Sequence, residues 1–377
     1  MAMDTRASAS RTYLREVPVT RATDARVLMV GPDRSLRGGI VSVVDGYFCA
    51  GLQKCCARLD YHGTGVGSNL LAKSLAFARS LASYRRVVDD YDVVHLHISA
   101  KGSYQRKKIM ARIAERRGKR VILHEHSGEF ARDFETGDDA YRADVRRTFG
   151  YADRVIVLSE EWRDYFAENV CDPERVVVIH NGVSVPPEPC NVSVSQNVLF
   201  LGRLDENKSP DVLIRASRRA LAEFSHARLI FAGDGDINRY GRLANELGIA
   251  DRCEFLGWVS GDDREQLFQR AGIYCLPSKH EAMPLSVMEA MARGIPVIST
   301  SVGGVPQLIE DGADGLLMKV DDEAGLSELL LGLERSPERR VKLGLAGRRR
   351  IEETFSIDAS VDRLVSLYDE LMREGAR

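Results

Sequence analysis

The feature that most constrains the fold of this chain is a set of short, continuously apolar runs rich in valine, isoleucine and leucine. They stand at residues 26–30, 93–97, 121–124, 155–158 and 176–179, then at 198–201, 229–232, 273–276 and 316–318. A strand with one wet face alternates apolar and polar residues; a strand apolar at nearly every position needs cover on both faces, which helices on a parallel sheet provide. Several runs empty into glycine and then a helical pattern, as where Val30 leads through Gly31-Pro32 and Arg37-Gly38-Gly39-Ile40 to Val43, Val44 and Phe48. That strand–turn–helix unit predicts an α/β protein with doubly wound sheets. At 377 residues the chain exceeds what one ordinary core serves, so two domains are expected. Pro186-Pro187-Glu188-Pro189 cannot be helical and makes a stiff connection at the boundary between them.

A formal net charge of −2 argues against a general nucleic-acid binder. The seven cysteines, Cys49, Cys55, Cys56, Cys171, Cys190, Cys253 and Cys275, show no C-x-x-C spacing, so neither a zinc site nor a disulfide framework is indicated and a reducing, cytoplasmic compartment is expected. No run approaches the roughly 18 apolar residues that span a bilayer. Residues 1–23 lack the apolar core of a signal peptide and read as a flexible, arginine-dotted tail able to touch an anionic membrane. The most basic segment runs from Lys101 through Arg106, Lys107, Lys108, Arg112, Arg116, Arg117 and Lys119 to Arg120, with Ile109, Met110 and Ile113 at helical spacing. It is either a basic amphipathic helix facing anionic lipid or acceptor phosphates, or a solvated helix face. The absent G-x-G-x-x-G and G-x(4)-G-K-[ST] patterns disfavour a nicotinamide dehydrogenase and a P-loop NTPase.

Chemistry concentrates between Pro277 and Ile298. After the strand at 273–276 comes a loop carrying Glu281, a helix opening at Pro284 and closing at Gly294, then another strand. The unpaired N–H groups of that helix's first turn form an anion site. Glu281 precedes the helix and Glu289 lies inside it, so two carboxylates flank one anion-binding turn. This suggests a polyhydroxylated, phosphorylated ligand. On spacing alone, a capping acid and a solvated helix face remain an equal alternative. His124-Glu125-His126-Ser127 leaves a strand end, where open α/β sheets place ligands. A metal reading of these two histidines is set aside: no third ligand is matched to them, and the His-x-His rings are expected to point to opposite sides. His95 and His97 are read as strand and cleft-wall residues, and no metal site is expected.

The run from Pro277 to Leu317, with Glu281 and Glu289 as E-x(7)-E, resembles the donor site of family 4 of the retaining GT-B glycosyltransferases, the group 1 glycosyltransferases. His180-Asn181-Gly182-Val183 resembles the family's turn into the interdomain linker. Gly202-Arg203-Leu204 to Lys208-Ser209 resembles its GRL…KG element, with Ser209 where glycine is usual. Leu229 to Gly235, residues 254–259 and Gly303-Gly304 resemble further family turns. The resemblance implies two Rossmann-like domains facing across a cleft: an acceptor-side domain over 24–186, a nucleotide-sugar domain over 187–355, and a helix over 356–377 returning to the first. It implies that Arg203, Lys208 and the amides around Pro284, Leu285 and Ser286 stabilise a departing diphosphate. Glu281 would orient the donor sugar, Glu289 would hold the ribose, and His126, with His124 as fallback, would line the reaction centre. Gly38 and Gly39 would let backbone approach the donor diphosphate or the acceptor, unless they are plain turn glycines. Gly233 would lie near the donor, and Trp258 and Val259 beside the base, Trp258 being expected to pack rather than stack.

The expected reaction is transfer of a sugar from a nucleotide-diphosphate sugar to a glycan or lipid-linked acceptor hydroxyl with retention, in polysaccharide or glycolipid synthesis, without cofactor or metal. The chemistry would be electrostatic and positional, with no enzymic nucleophile. An epimerase or hydrolase on the same plan, and a non-catalytic binding partner of another glycosyltransferase, are the alternatives.

Overall fold

The computed structural model describes residues 21–65, 70–99 and 102–374. The expectations for the leader up to residue 20, and for Lys101, lie outside the described residues. The chain divides into two compact units, one running to residue 182 and resuming at 357, the other spanning 183–356.

In the first unit the chain runs β1 (Thr23–Gly31), α1 (Gly39–Cys49), β2 (Cys56–Gly63), α2 (Leu70–Val87), β3 (Val93–Ile98), α3 (Gly102–Arg116) and β4 (Arg120–Glu125). It continues through α4 (Phe130–Thr136), α5 (Asp139–Phe149), β5 (Arg154–Val157), α6 (Glu160–Asn169) and β6 (Val176–Val178). The six strands pair in parallel in the order β2-β1-β3-β4-β5-β6. β1 starts three residues before the Arg26 read from sequence, because Ala25 is buried while Asp24 and Arg26 point outward. β2 was not legible as an apolar run: it is the edge strand, and only Leu59 along it is buried. The helices start on polar caps: the Asp138 carboxylate accepts from Tyr141 N–H at α5, and the Ser159 hydroxyl from Trp162 N–H at α6. A core of Val94, Leu96, Leu123, Phe130, Phe149 and Phe166 joins sheet and helices.

The second unit runs β7 (Val198–Leu201), α7 (Pro210–Glu223), β8 (Leu229–Ala232), α8 (Ile237–Glu246), β9 (Cys253–Phe255), α9 (Gly261–Arg270) and β10 (Ile273–Leu276). Then follow α10 (Leu285–Ala292), β11 (Val297–Thr300), α11 (Val305–Leu308), β12 (Leu316–Met318), α12 (Glu323–Glu334) and α13 (Pro337–Thr354). Its parallel sheet has the order β12-β11-β10-β7-β8-β9. α14 (Ile357–Arg373) belongs to the first unit, where its buried Tyr368 hydrogen-bonds His95 (2.7 Å). Three helices therefore end the chain where two were read from sequence.

Each sheet has one point where strand order reverses. In the first it lies between β1 and β3, in the second between β7 and β10. Loops leaving two such strands diverge to opposite faces and open a crevice at the strands' carboxyl ends, where doubly wound proteins bind ligands.

Candidate active site

In the second unit the loops after β7 and β10 border that crevice and are tied together through Asn207. Its amide donates to the His280 carbonyl (3.2 Å) and accepts from His280 N–H (3.1 Å), and its carbonyl accepts from Lys279 N–H (2.7 Å). Asp205 stiffens the turn by accepting from the N–H groups of Asn207 (3.1 Å) and Lys208 (3.0 Å). The next residue, Ser209, takes left-handed angles (φ 49°, ψ 50°), which glycine adopts without steric cost and which Ser209 supports with a bond to the Glu206 carbonyl (3.1 Å). The turn sets Lys208 Nζ 2.5 Å from Glu281 Oε1, with the Glu281 carboxylate almost buried. Arg203, by contrast, keeps its side chain 68% exposed, with a long 3.8 Å contact to Asp205. One paired cation, one outward cation and one buried carboxylate thus share the mouth of the crevice.

Helix α10 begins at Leu285, so Pro284 occupies the cap position with extended angles (φ −75°, ψ 114°) rather than the first turn expected for it. The cap position also needs no N–H, so proline suits it. No side chain caps the helix, and Ser286 lies in its first turn. Gly294 ends the segment with φ 70° and donates to the Met291 carbonyl (2.9 Å). Glu289 is not a solvated face residue: Arg264 from α9 donates one N–H to each of its carboxylate oxygens. Sequence reading missed Arg264, since no local motif joins it to a residue 25 positions on. Gly303 and Gly304 close on the backbone of Glu281 and Ala282, where a Cβ would lie 1.8 Å and 2.2 Å from the respective carbonyl oxygens. Gly233 has the same reason to be glycine, with a Cβ there falling 1.8 Å from the Gly202 carbonyl oxygen. Trp258 departs from the packed position expected of it and stands 41% exposed, beside half-buried Val259.

In the first unit Gly38 is the N-cap of α1, and among the described residues neither Gly38 nor Gly39 has a neighbour that a Cβ would meet. The histidine readings need correction. Residues two apart on a strand share a face, and His124 stacks on His126 (4.1 Å between centroids) rather than turning away. The register of β3 on β4 sets His97 opposite His124, so His95 and His97 join the same stack. A third potential ligand therefore exists: ring nitrogens of His95, His97 and His124 lie within 4.8 Å of one another. Most of them are engaged, His95 Nε2 with His124 Nδ1 (3.1 Å) and His97 Nδ1 with His126 Nε2 (2.9 Å). Only Nε2 of His97 and of His124 lack a partner among the described residues. Two such nitrogens fall short of the three or four ligands of an ordinary zinc site, so coordination would require breaking inter-ring hydrogen bonds. Burial pushes His95 and His126 down to about 3, and His97 and His124 well below their ordinary value, so the stack is neutral near pH 7.

Two further residues here take places the sequence reading did not give them. Glu125 is buried on the opposite face of β4, accepts from Ser127 N–H (2.6 Å), and is pushed by burial up to about 8. Lys107, read as part of a solvated or lipid-facing run, is fully buried on the α3 stripe of Tyr104, Met110, Ala111 and Ala114. Among the described residues its amine reaches the hydroxyls of Thr64 and Ser103 (3.4 Å each), and burial, then Arg106, lowers it to about 7.

Comparison with known proteins agrees with this architecture. Residues 56–185 match the family model Glycosyltransferase Family 4, and residues 194–350 match Glycosyl transferases group 1. A D-inositol 3-phosphate glycosyltransferase of Mycolicibacterium paratuberculosis is 32% identical over 241 residues, which is 59% of this chain and 54% of that protein. The chain thus spans about half the length of such relatives; with one of the same description from Streptomyces scabiei the match is 28% over 76% of this chain and 70% of the relative. Among solved structures, Anabaena HepE in complex with UDP-glucose superposes with a TM-score of 0.75 at 17% identity, covering 92% of this chain and all of that one. Sucrose-phosphate synthase from Thermosynechococcus elongatus gives 0.74 at 18% identity over 93% of this chain and 100% of its own. With a family model matched in each unit and two doubly wound parallel sheets, the chain belongs to the group 1, family 4 glycosyltransferases and has the GT-B fold.

Proposed function

We propose that the chain transfers a sugar from a nucleotide-diphosphate sugar to an acceptor hydroxyl, with retention of configuration. The observation that carries this reading is the placement of Lys208, Glu281 and outward-facing Arg203 at the order-reversal point of the second sheet. A diphosphate arriving there meets a guanidinium fork and an ammonium, which neutralise the charge that grows on it as the glycosidic bond breaks. Lys208 turning to phosphate frees Glu281, a buried acceptor suited to sugar hydroxyls, and Glu289, aligned by Arg264, suits the vicinal hydroxyls of ribose. The amides at the start of α10 add donors for phosphate oxygen. The leaving diphosphate itself takes the acceptor's proton.

The relatives' description supports a phosphorylated polyol or related glycan acceptor, and the neighbours' bound UDP and UDP-glucose support a uridine donor. Polysaccharide or glycolipid assembly in the cytoplasm, without cofactor or metal and in peripheral contact with anionic lipid, completes the reading. The test is thermal-shift screening against UDP, UDP-glucose and other nucleotide sugars. A ligand that binds only the folded state raises Tm by mass action. One nucleotide sugar should stabilise the protein, with the shift lost in Arg203→Ala and Glu289→Ala; no response to any of them would reject the reading. Donor turnover that does not depend on an acceptor would favour an epimerase or hydrolase.

A further inference from the structure

Helix α2 carries two stripes, not one. Phe77, Leu81 and Tyr84, with Val88 just past the helix end, face the core of the first unit. The positions 71, 75, 78, 82 and 85 follow the same 3–4 spacing along an outward flank, and all are exposed. That outward stripe opens with two leucines, Leu71 at 84% exposure and Leu75 at 54%, and ends in Arg85. A soluble helix ordinarily keeps its large apolar residues on the core stripe, so two protruding leucines one turn apart call for a partner.

Arg85 then lines a recess of about 270 Å³ with Lys108, Arg112 and Arg116 of α3 and Arg147 of α5. Asp144 is the single acid of that lining among the described residues, and it is engaged by Lys108 (2.8 Å). Ile109, 39% exposed, and Ile113 lie among these cations. The whole chain has a net charge of −2, yet α2 contains no acidic residue and α3 only Glu115. Positive charge is therefore gathered onto one face, together with the protruding apolar side chains.

We infer that the outward faces of α2 and α3 dock the protein on an anionic lipid surface, the leucines and Ile109 entering the headgroup boundary while the arginines meet lipid phosphates. The inference rests on the peripheral-contact part of the proposed function and assigns it a surface. Apolar insertion and cation–phosphate attraction reinforce one another on a bilayer. A free soluble phosphate would use the recess and leave the leucines in water. The face lies on the first unit, apart from the donor residues of the second, so docking and donor binding use different side chains.

The experiment is cosedimentation of the full chain with vesicles of phosphatidylcholine alone and of phosphatidylcholine mixed with phosphatidylglycerol, at about 0.1 M salt where charges still act over about 10 Å. Binding is expected to the anionic vesicles only. It should weaken roughly tenfold or more in Arg85→Glu/Arg112→Glu and in Leu71→Ser/Leu75→Ser, since each basic residue and each buried methylene contributes measurably at a membrane surface. Equal binding to both vesicle types, no binding, or binding unchanged in both double variants would overturn the inference. UDP thermal shifts on the same variants separate the two ideas. A chain that responds to UDP but ignores anionic vesicles refutes the docking face alone. Anionic-vesicle binding lost in the variants supports the docking face whether or not UDP binds.

Discussion

At the residue scale, the site is a matter of which partner holds each charge. Glu281 is almost buried and carries Lys208; Glu289 is partly exposed and carries Arg264. A guanidinium gripping both oxygens of Glu289 fixes the carboxylate plane and leaves its outward lone pairs for vicinal hydroxyls. Removing Arg264 should therefore cost binding rather than chemistry. Arg264→Met is expected to raise KM for the nucleotide sugar roughly tenfold, the equivalent of about 1.4 kcal/mol, with kcat little changed. Arg264→Lys should recover part of the loss, because an ammonium restores charge but not the fork. Initial-rate kinetics on the three proteins decide it, and an unchanged KM in Arg264→Met would show that Glu289 needs no such support. Glu289 was singled out by the family resemblance of its E-x(7)-E spacing to Glu281, whereas Arg264 was invisible, because its partnership exists only once α9 and α10 lie side by side.

At the element scale, the paired strands β3 and β4 make a pH-sensitive core of the first unit. Histidines in the unfolded chain titrate near 6.5, whereas His95 and His126 stay neutral to about 3 in the fold and His97 and His124 are shifted the same way. Between these limits the unfolded chain binds protons that the folded strands refuse, so stability falls as pH drops below about 6.5. Each histidine contributes up to about 1.4 kcal/mol per pH unit. Glu125 acts in the opposite sense: its folded value, about 8, is raised, so its contribution is present at low pH and lost as pH rises through that value. With four histidines against one carboxyl, the acid loss prevails between about pH 5 and 6.5. Hydrogen exchange of the β3 and β4 amides, corrected for the intrinsic rate, should show easier opening at pH 5.5 than at pH 7. Equal opening energies would mean the stack is solvated rather than buried.

At the scale of the whole molecule, two sheets of the same design each have their own order-reversal point, and the nucleotide reading belongs to the second. UDP should slow amide exchange in residues 202–209 and 277–290 of that unit and leave β3 and β4 close to their free rates; protection confined to the first unit would contradict the assignment. The sequence by itself determined the α/β class and nearly every central strand, and its family resemblance singled out Glu281, Glu289, Arg203 and Lys208. Those features are local: a strand covered on both faces must be apolar throughout, and a turn at a strand end must use particular residue types. Edge strand β2 was unreadable because one wet edge breaks the apolar run, and α2's second stripe because spacing alone does not say which side meets the core. Lys107 belonged by composition to a basic run, and only packing showed that its position falls on the buried stripe of α3. The four-histidine stack and the Arg264–Glu289 grip were decided by tertiary structure alone. Strand register and helix packing bring together residues whose attraction or desolvation acts over a few ångströms in space, at separations along the chain that no local pattern records.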